Sequence, residues 1–547
     1  MYGLLLLLFS FLSINPPSAG TINYQIKPLP LADRTNIEVT VDFESPEKAP
    51  VSVTLPTDYF GTPNLYRFVK SFEGEAGTVI KPGESEDKRI AVPNKDGRIR
   101  IKYLLSYDPE LFKFNTYSPN NSSTHFHLAG CQWALQIGEL KEKHELKISF
   151  AGVPENWETY SNISSNPRKF EITASLEDLI STVIGGGEKK DVSRFTYRDT
   201  PYSIIVRGDF DIPRKEIVDA AEKIVKLQRD YFPGSKQDFY HIVILPRSEN
   251  VAGVRFENSF ITFLKQDVTR RQLYLLLAHE MSHNWLNGEI IKPEEGESSL
   301  KYAWFYEGFD EYFARTLLLS SGLITEREFI ELINRDIINI ADNPHGSANF
   351  DDVLEAVKER KYGQAFNKLS YYRGALMAFN WDAQIRRFDK NRSIGDLVKE
   401  VYKASSDKGG NFSGKDLFEL AAKMGASAEK DFENYIIEGK PIRVSQDIFD
   451  NRYVLKETDV PAFDPGFSIR ESYSNKKITG LREGSEAYKA GLRNGMEFVL
   501  AKNDGRFSNA WLPEKPLSVT VRIEGEEKVI DYFPHGETEK LMLLKPR

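Results

Sequence analysis

Hydrophobic residues change their spacing twice along this chain, and that restricts it to several separately folded parts. From about Thr21 to Thr196, apolar and polar residues alternate. Ile37-Glu38-Val39-Thr40-Val41-Asp42-Phe43, Ile99-Arg100-Ile101-Lys102-Tyr103 and Leu146-Lys147-Ile148-Ser149-Phe150 are the clearest runs. A period of two buries one strand face and wets the other, as in antiparallel sheets. Turn residues between the runs predict a β-sandwich. Further strands are read at Ser203–Val206, His241–Leu245 and Phe260–Phe263, with a helix over Pro213–Tyr231. After Gln266 the spacing becomes helical and stays so to about Gly439. The remainder returns to short strands and turns, with one helix-like stretch at Glu486 to Ala490. With 547 residues the chain is too long for one core. The predicted architecture is multidomain α+β: residues 21–197 β-rich, 198–440 mainly helical, and 441–547 a small β domain.

Within the first part, Gly185-Gly186-Gly187 before Glu188-Lys189-Lys190 reads as a flexible loop. A phosphate cradle would need a following helix with Lys-Ser or Lys-Thr, which is missing. His125 and His127 share a strand face, but no third ligand is in view, so they are read as structural. Cys131 is the only cysteine; it has no internal disulfide partner and is expected in the core.

Composition excludes whole classes. The chain is 40% hydrophobic and 28% charged, which is ordinary for a packed protein and wrong for a disordered one. Its net charge of -8 comes without a basic face, so nucleic acid is not an expected partner. Leu4 to Ile14 is an apolar run too short to span a bilayer. The breaker Asn15-Pro16-Pro17-Ser18-Ala19-Gly20 follows it, and residues 1–20 read as a secretory signal. The alternative is a buried N-terminal strand. No second run is long enough for a membrane helix. A large exported chain without disulfides fits a bacterial periplasm, or secretion, better than a eukaryotic exterior.

The stretch that carries chemistry is His279-Glu280-Met281-Ser282-His283. Thr269 and Gln272 form a capping-box start, Leu273, Leu276 and Leu277 continue an apolar helix face, and Asn287-Gly288 is the expected stop. On a helix, His279 and His283 lie one turn apart on one face and can aim at one metal ion. Glu280, rotated by about 100°, is placed to act on water beside that ion. A catalytic zinc takes three protein ligands and leaves a fourth position open. The third candidate is Glu307 in Trp304-Phe305-Tyr306-Glu307-Gly308-Phe309, because an aromatic surround would otherwise penalise a carboxylate. A second helix from there is expected to end at Ser320-Ser321-Gly322. Glu311, one turn on, is read either as the acceptor of a ligating histidine's second N–H or as a solvated acid.

These residues, with Gly322-Leu323-Ile324-Thr325 and Tyr371-Tyr372-Arg373-Gly374-Ala375-Leu376, resemble the glycyl aminopeptidase family of gluzincin metallopeptidases. The resemblance implies a β-rich N-terminal domain, a thermolysin-like catalytic domain and a C-terminal PDZ-like domain. It implies one Zn2+ held by His279, His283 and Glu307, with Glu280 as base and Tyr371 stabilising the oxyanion. The family's substrate-holding segment before the zinc helix falls on Ala252-Gly253-Val254-Arg255-Phe256-Glu257-Asn258-Ser259. Arg255 stands where the family has a glutamate, and a cation there repels a free amine; Glu257 takes over only if the loop shifts by two. In the last block, Gly466 and Phe467 resemble the carboxylate-binding loop of a PDZ domain and the strand after it, a fold that adds a peptide as an extra strand. The expected function is zinc-dependent hydrolysis of peptides by an exported aminopeptidase that removes small N-terminal residues. Arg255 favours an endopeptidase or carboxypeptidase on the same site. A peptide-binding periplasmic protein with vestigial catalysis is the reading from another class.

Overall fold

The computed structural model describes residues 20–57, 64–107, 119–138, 140–166, 168–232, 237–247, 251–359, 361–449, 452–502 and 516–547. The apolar run read as a secretory signal lies outside these. Among the described residues no helix is long and apolar enough to cross a membrane. The chain forms two compact units, one through Glu280 and one from Met281 to Arg547.

The first unit begins with three sheets. Its six-stranded sheet runs in the order Lys169–Ala174, His144–Phe150, Thr21–Pro30, Thr35–Glu44, Arg98–Leu105, Val69–Glu75. Two four-stranded sheets are built around Val51–Thr54 with Lys88–Val92, and around Val183–Glu188 with His125–Ala129. The alternating residues of all three, among them Tyr24, Val39, Ile101, Phe126 and Ile148, meet in one core. One pairing departs from the antiparallel expectation: Thr21–Pro30 lies parallel to His144–Phe150, with Tyr24 opposite Ile148. Alternation records which face is buried and carries no strand direction, so the sequence could not show this.

The glycine triplet is a second departure. Gly185, Gly186 and Gly187 lie inside the strand Val183–Glu188 and are buried. A Cβ on Gly186 would come 2.6 Å from the Phe126 ring, and one on Gly187 2.7 Å from His125 Cβ. The triplet is there for close packing between strands rather than for looseness. The neighbouring histidines are structural, as expected. His125 bonds Ser122 Oγ at 2.8 Å and Asn120 Oδ1 at 2.9 Å, and His127 Nδ1 bonds Tyr160 Oη at 2.9 Å. Burial drives both imidazoles down to a pKa of about 3. Cys131 is buried, and burial raises its thiol pKa.

The same unit ends in a five-stranded sheet, ordered Val192–Tyr197, Thr200–Val206, Tyr240–Pro246, Ser259–Leu264, Ala252–Phe256. The first two strands form a hairpin whose two-residue turn, Arg198-Asp199, has φ of 46° and 61°. The expected boundary at 197/198 therefore falls inside a hairpin, and the sheet starts at Val192. One sheet face packs against the N-terminal strands through Ile205, Val243, Leu245, Ile261, Phe263 and Phe256. Helix Arg214–Tyr231 connects two parallel strands of the sheet, and Arg270–Ser282 follows it.

The second unit is helical at first. Trp304–Phe309 forms a π turn that runs into helix Asp310–Ser320. Helix Glu326–Ala341 follows, started by the Thr325 and Glu328 capping box, and the long helix Gln364–Phe388 passes behind them. From Tyr453 on, strand Tyr453–Phe463 pairs with His535–Pro546, and a three-stranded sheet forms around Leu517–Ile523. Asn334 Nδ2 donates to Leu544 O at 2.8 Å, which ties this block to the helices.

Candidate metal centre and active site

Helix Arg270–Ser282 starts as its sequence requires: the Thr269 N–H donates to Gln272 Oε1 at 2.9 Å, and the Gln272 N–H returns to Thr269 Oγ1 at 3.3 Å. The buried Gln228 amide donates to Ala278 O at 2.6 Å and fixes the helix against Arg214–Tyr231. The helix ends at Ser282, earlier than the expected stop at Asn287-Gly288, so His283 opens a tightened last turn. Two side chains compete for the carbonyls there. Asn284 Nδ2 donates to Met281 O at 2.7 Å, and His283 Nδ1 lies 2.8 Å from Leu286 O. A carbonyl can only accept, so Nδ1 carries the proton and the lone pair of His283 sits on Nε2. That Nε2 is 3.8 Å from Glu307 Oε2.

Glu307 is delivered by the π turn, and a pair of glycines sets that turn's distance from the long helix. A Cβ on Gly308 would lie 2.6 Å from both Gly374 Cα and Tyr371 O. Contact this close is open only to glycine. It brings Tyr371, in the helix Gln364–Phe388, beside the turn that carries Glu307. Lys368 Nζ lies 3.6 Å from the centre of the Tyr371 ring.

The result is a convergence: one ligand atom each from His279, His283 and Glu307 lie within 4.8 Å of one another. His279 and Glu280 are buried. Two imidazoles and a carboxylate at this spacing are the donor set of a catalytic zinc site with one position left open, so the residues present fit the metal. The carboxylate of Glu307 is also felt around it. Burial and then its charge raise the pKa of Tyr306, and the same two causes push Tyr362 up to about 12.

The other predicted residues fall as follows. Glu311 is buried, and its Oε1 accepts from Arg315 Nη2 at 3.0 Å; Arg315 in turn pairs with Asp336. Gly253 and Arg255 lie on the edge strand Ala252–Phe256. A Cβ on Gly253 would lie 2.5 Å from Glu280 Cγ and closer still to its carboxylate. Glu257 is exposed in the two-residue turn Glu257-Asn258, where Asn258 has φ 51°. Gly466 has φ 75°, and Phe467 is a core residue of the C-terminal block. The strand expected after that loop is instead the helix Ile469–Asn475, started by Ser468 Oγ accepting from the Glu471 N–H. A serine at an N-cap followed three residues later by glutamate is a helix start, and that local signal prevailed.

Asp310 was missed. It is wholly buried, accepts from Ser282 Oγ and lies 3.8 Å from His283 Nδ1. Its position three residues after Glu307, on the same helical face, was the available signal.

Residues 272–377 match the M61 glycyl aminopeptidase family. The chain is a zinc metallopeptidase, and the segment bearing His279, His283, Glu307 and Tyr371 is the part that matches that family. An aminopeptidase N family protein from Idiomarina loihiensis shares the fold: at 15% identity the match covers 96% of this chain and 98% of that one, with a TM-score of 0.66. The M1 zinc metallopeptidase from Deinococcus radiodurans aligns at 14% identity over 78% of this chain and 94% of its own, with a TM-score of 0.40, too little overlap to bear on the fold. No curated protein matches the chain.

Proposed function

We propose that this zinc peptidase is an exported aminopeptidase that removes small N-terminal residues, with Zn2+ held by His279, His283 and Glu307. The convergence of those three donors, with Glu280 on the same helix, is the observation that carries the reading. When bound, zinc supplies Lewis-acid polarisation of the scissile carbonyl and lowers the pKa of the attacking water toward about 7. Glu280 takes that water's proton and returns it to the leaving amine nitrogen. The Tyr371 O–H donates to the oxygen that becomes negative as the carbonyl is attacked. Gly253 leaves room for the Glu280 carboxylate, and Glu311, held by Arg315, stiffens the helix that follows Glu307.

A small cavity beside the π turn, about 40 Å³ in volume and lined by Trp304, Tyr362, Phe366, Ser370 and Arg373, suits a short substrate side chain. The C-terminal block is read as a PDZ-like accessory domain; with Phe467 in its core, a peptide would have to pair with an outer strand of its sheet. Export to the periplasm rests on the apolar run Leu4 to Ile14 and on the single cysteine.

The test is hydrolysis of alanyl and glycyl peptides with free and with acetylated amino termini. Glu280→Gln should keep one zinc per chain and lose at least about a thousandfold in kcat. Full activity in that variant would remove Glu280 as the base, and equal cleavage of acetylated peptides would make the enzyme an endopeptidase.

A further inference from the structure

Strand Ala252–Phe256 presents its two faces to different neighbours. Ala252, Val254 and Phe256 join the core shared with the N-terminal strands. Side chains alternate along a strand, so Gly253 and Arg255 face the opposite way. The Cβ direction of Gly253 points at Glu280, which fixes what that way is. The antiparallel register agrees: Gly253 opposes Thr262 and Arg255 opposes Phe260, both on the face away from the N-terminal core. Arg255 therefore stands on the side of Glu280, two residues or roughly 7 Å along the strand from it.

The side chain is half-buried, and its Nε is buried without a hydrogen-bond partner. Among the described residues it forms no ion pair. A guanidinium N–H withdrawn from water and left without an acceptor is destabilising, and an acceptor arriving at Nε relieves it. Its planar fork fits a carboxylate with two parallel bonds and repels an ammonium group. Among the described residues no further strand pairs with this one at the sheet edge.

We propose that Arg255 recognises a substrate carboxylate within about one residue of the scissile bond. This rests on the zinc-peptidase reading of the same site and names its substrate class: peptides with an acidic residue beside the cleaved bond, or very short peptides whose own C-terminus lies there.

Matched peptides that differ only by a carboxylate or its amide test this. One pair carries N-terminal Asp or Asn, one carries Asp or Asn as the second residue, and one is a dipeptide with a free or an amidated C-terminus. The wild type should prefer the acid in at least one pair by tenfold to a hundredfold in kcat/KM, and that pair identifies the source. The preference ratio should fall to about one in Arg255→Gln and survive in part in Arg255→Lys. Equal treatment of every pair by the wild type, or a ratio unchanged in Arg255→Gln, overturns the proposal. Calorimetric binding of the same pairs to zinc-loaded Glu280→Gln separates the two readings. Carboxylate preference in binding with no hydrolysis by the wild type sinks the peptidase and keeps Arg255. Hydrolysis with no preference in either assay does the reverse. If Arg255→Gln does not fold, the Arg255→Lys ratio against wild type decides, and an unaltered ratio there, with unaltered affinities, refutes the proposal.

Discussion

Replacing Gly253 by alanine should slow the enzyme about a hundredfold while leaving its fold and its metal in place. The alanine Cβ would sit 2.5 Å from Glu280 Cγ and nearer to the carboxylate. Carbon atoms settle at about 3.5–4.0 Å, so Glu280 has to retreat by at least roughly 1 Å. The retreat is mechanically easy, because the atoms that move are the end of a side chain. The backbone also accepts alanine: Gly253 is in a strand and has no positive φ. Stability should change by no more than about 1 kcal/mol, the usual range for glycine to alanine at a compatible site. Catalysis has no such tolerance, since a misplacement of about 1 Å can lower the rate about a hundredfold. Steady-state hydrolysis of an alanyl peptide should show kcat down by about that factor. Zinc content should stay at one per chain and the thermal midpoint close to wild type. Activity within threefold of wild type would refute the reasoning, since it would mean that the position of the Glu280 carboxylate does not matter.

Two further perturbations address other parts of the account. Tyr371→Phe should lower kcat by about a hundredfold or more with little change in KM, because it removes a donor used only as the oxyanion forms; a pure rise in KM would show that Tyr371 only binds substrate. Two buried histidines and the half-buried His241 set a pH limit. His125 and His127 have pKa values of about 3 and His241 about 4, against about 6.5 unfolded. The folded state holds these rings neutral, so stability is complete above pH 6.5 and falls as pH drops through the window down to those values. Each histidine should remove about 2 kcal/mol by pH 5, and His127→Gln should flatten the urea-measured slope by one proton, about 1.4 kcal/mol per pH unit. An unchanged slope in that variant would show that His127 titrates normally.

How much of this was readable beforehand follows the range of each signal. The motif His279-Glu280-x-x-His283 and its cap depend on residues within one or two helical turns, and the folded chain keeps them together. Glu307 could be inferred because few elements place a carboxylate among Trp304, Phe305 and Phe309. Signals that depend on partners distant in sequence were not readable. Gly185 to Gly187 look like a loop until Phe126 and His125 are seen against them. The parallel pairing of Thr21–Pro30 is invisible in an alternation that has no direction. The early end of the zinc helix depends on His283 turning to Leu286. Ser468 and Glu471 carry a helix start that the resemblance to a PDZ loop and its strand does not predict. Arg255 reads as a departure from a family pattern; the strand's two faces put it on the side of Glu280.

The central claim is that His279, His283 and Glu307 share one ion. Anomalous diffraction from zinc-loaded crystals, collected on both sides of the zinc edge, tests it most directly. A single strong peak within bonding distance of all three side chains, lost in Glu307→Ala, is the expected result. A peak that misses any of the three, or one that survives in Glu307→Ala, contradicts the account.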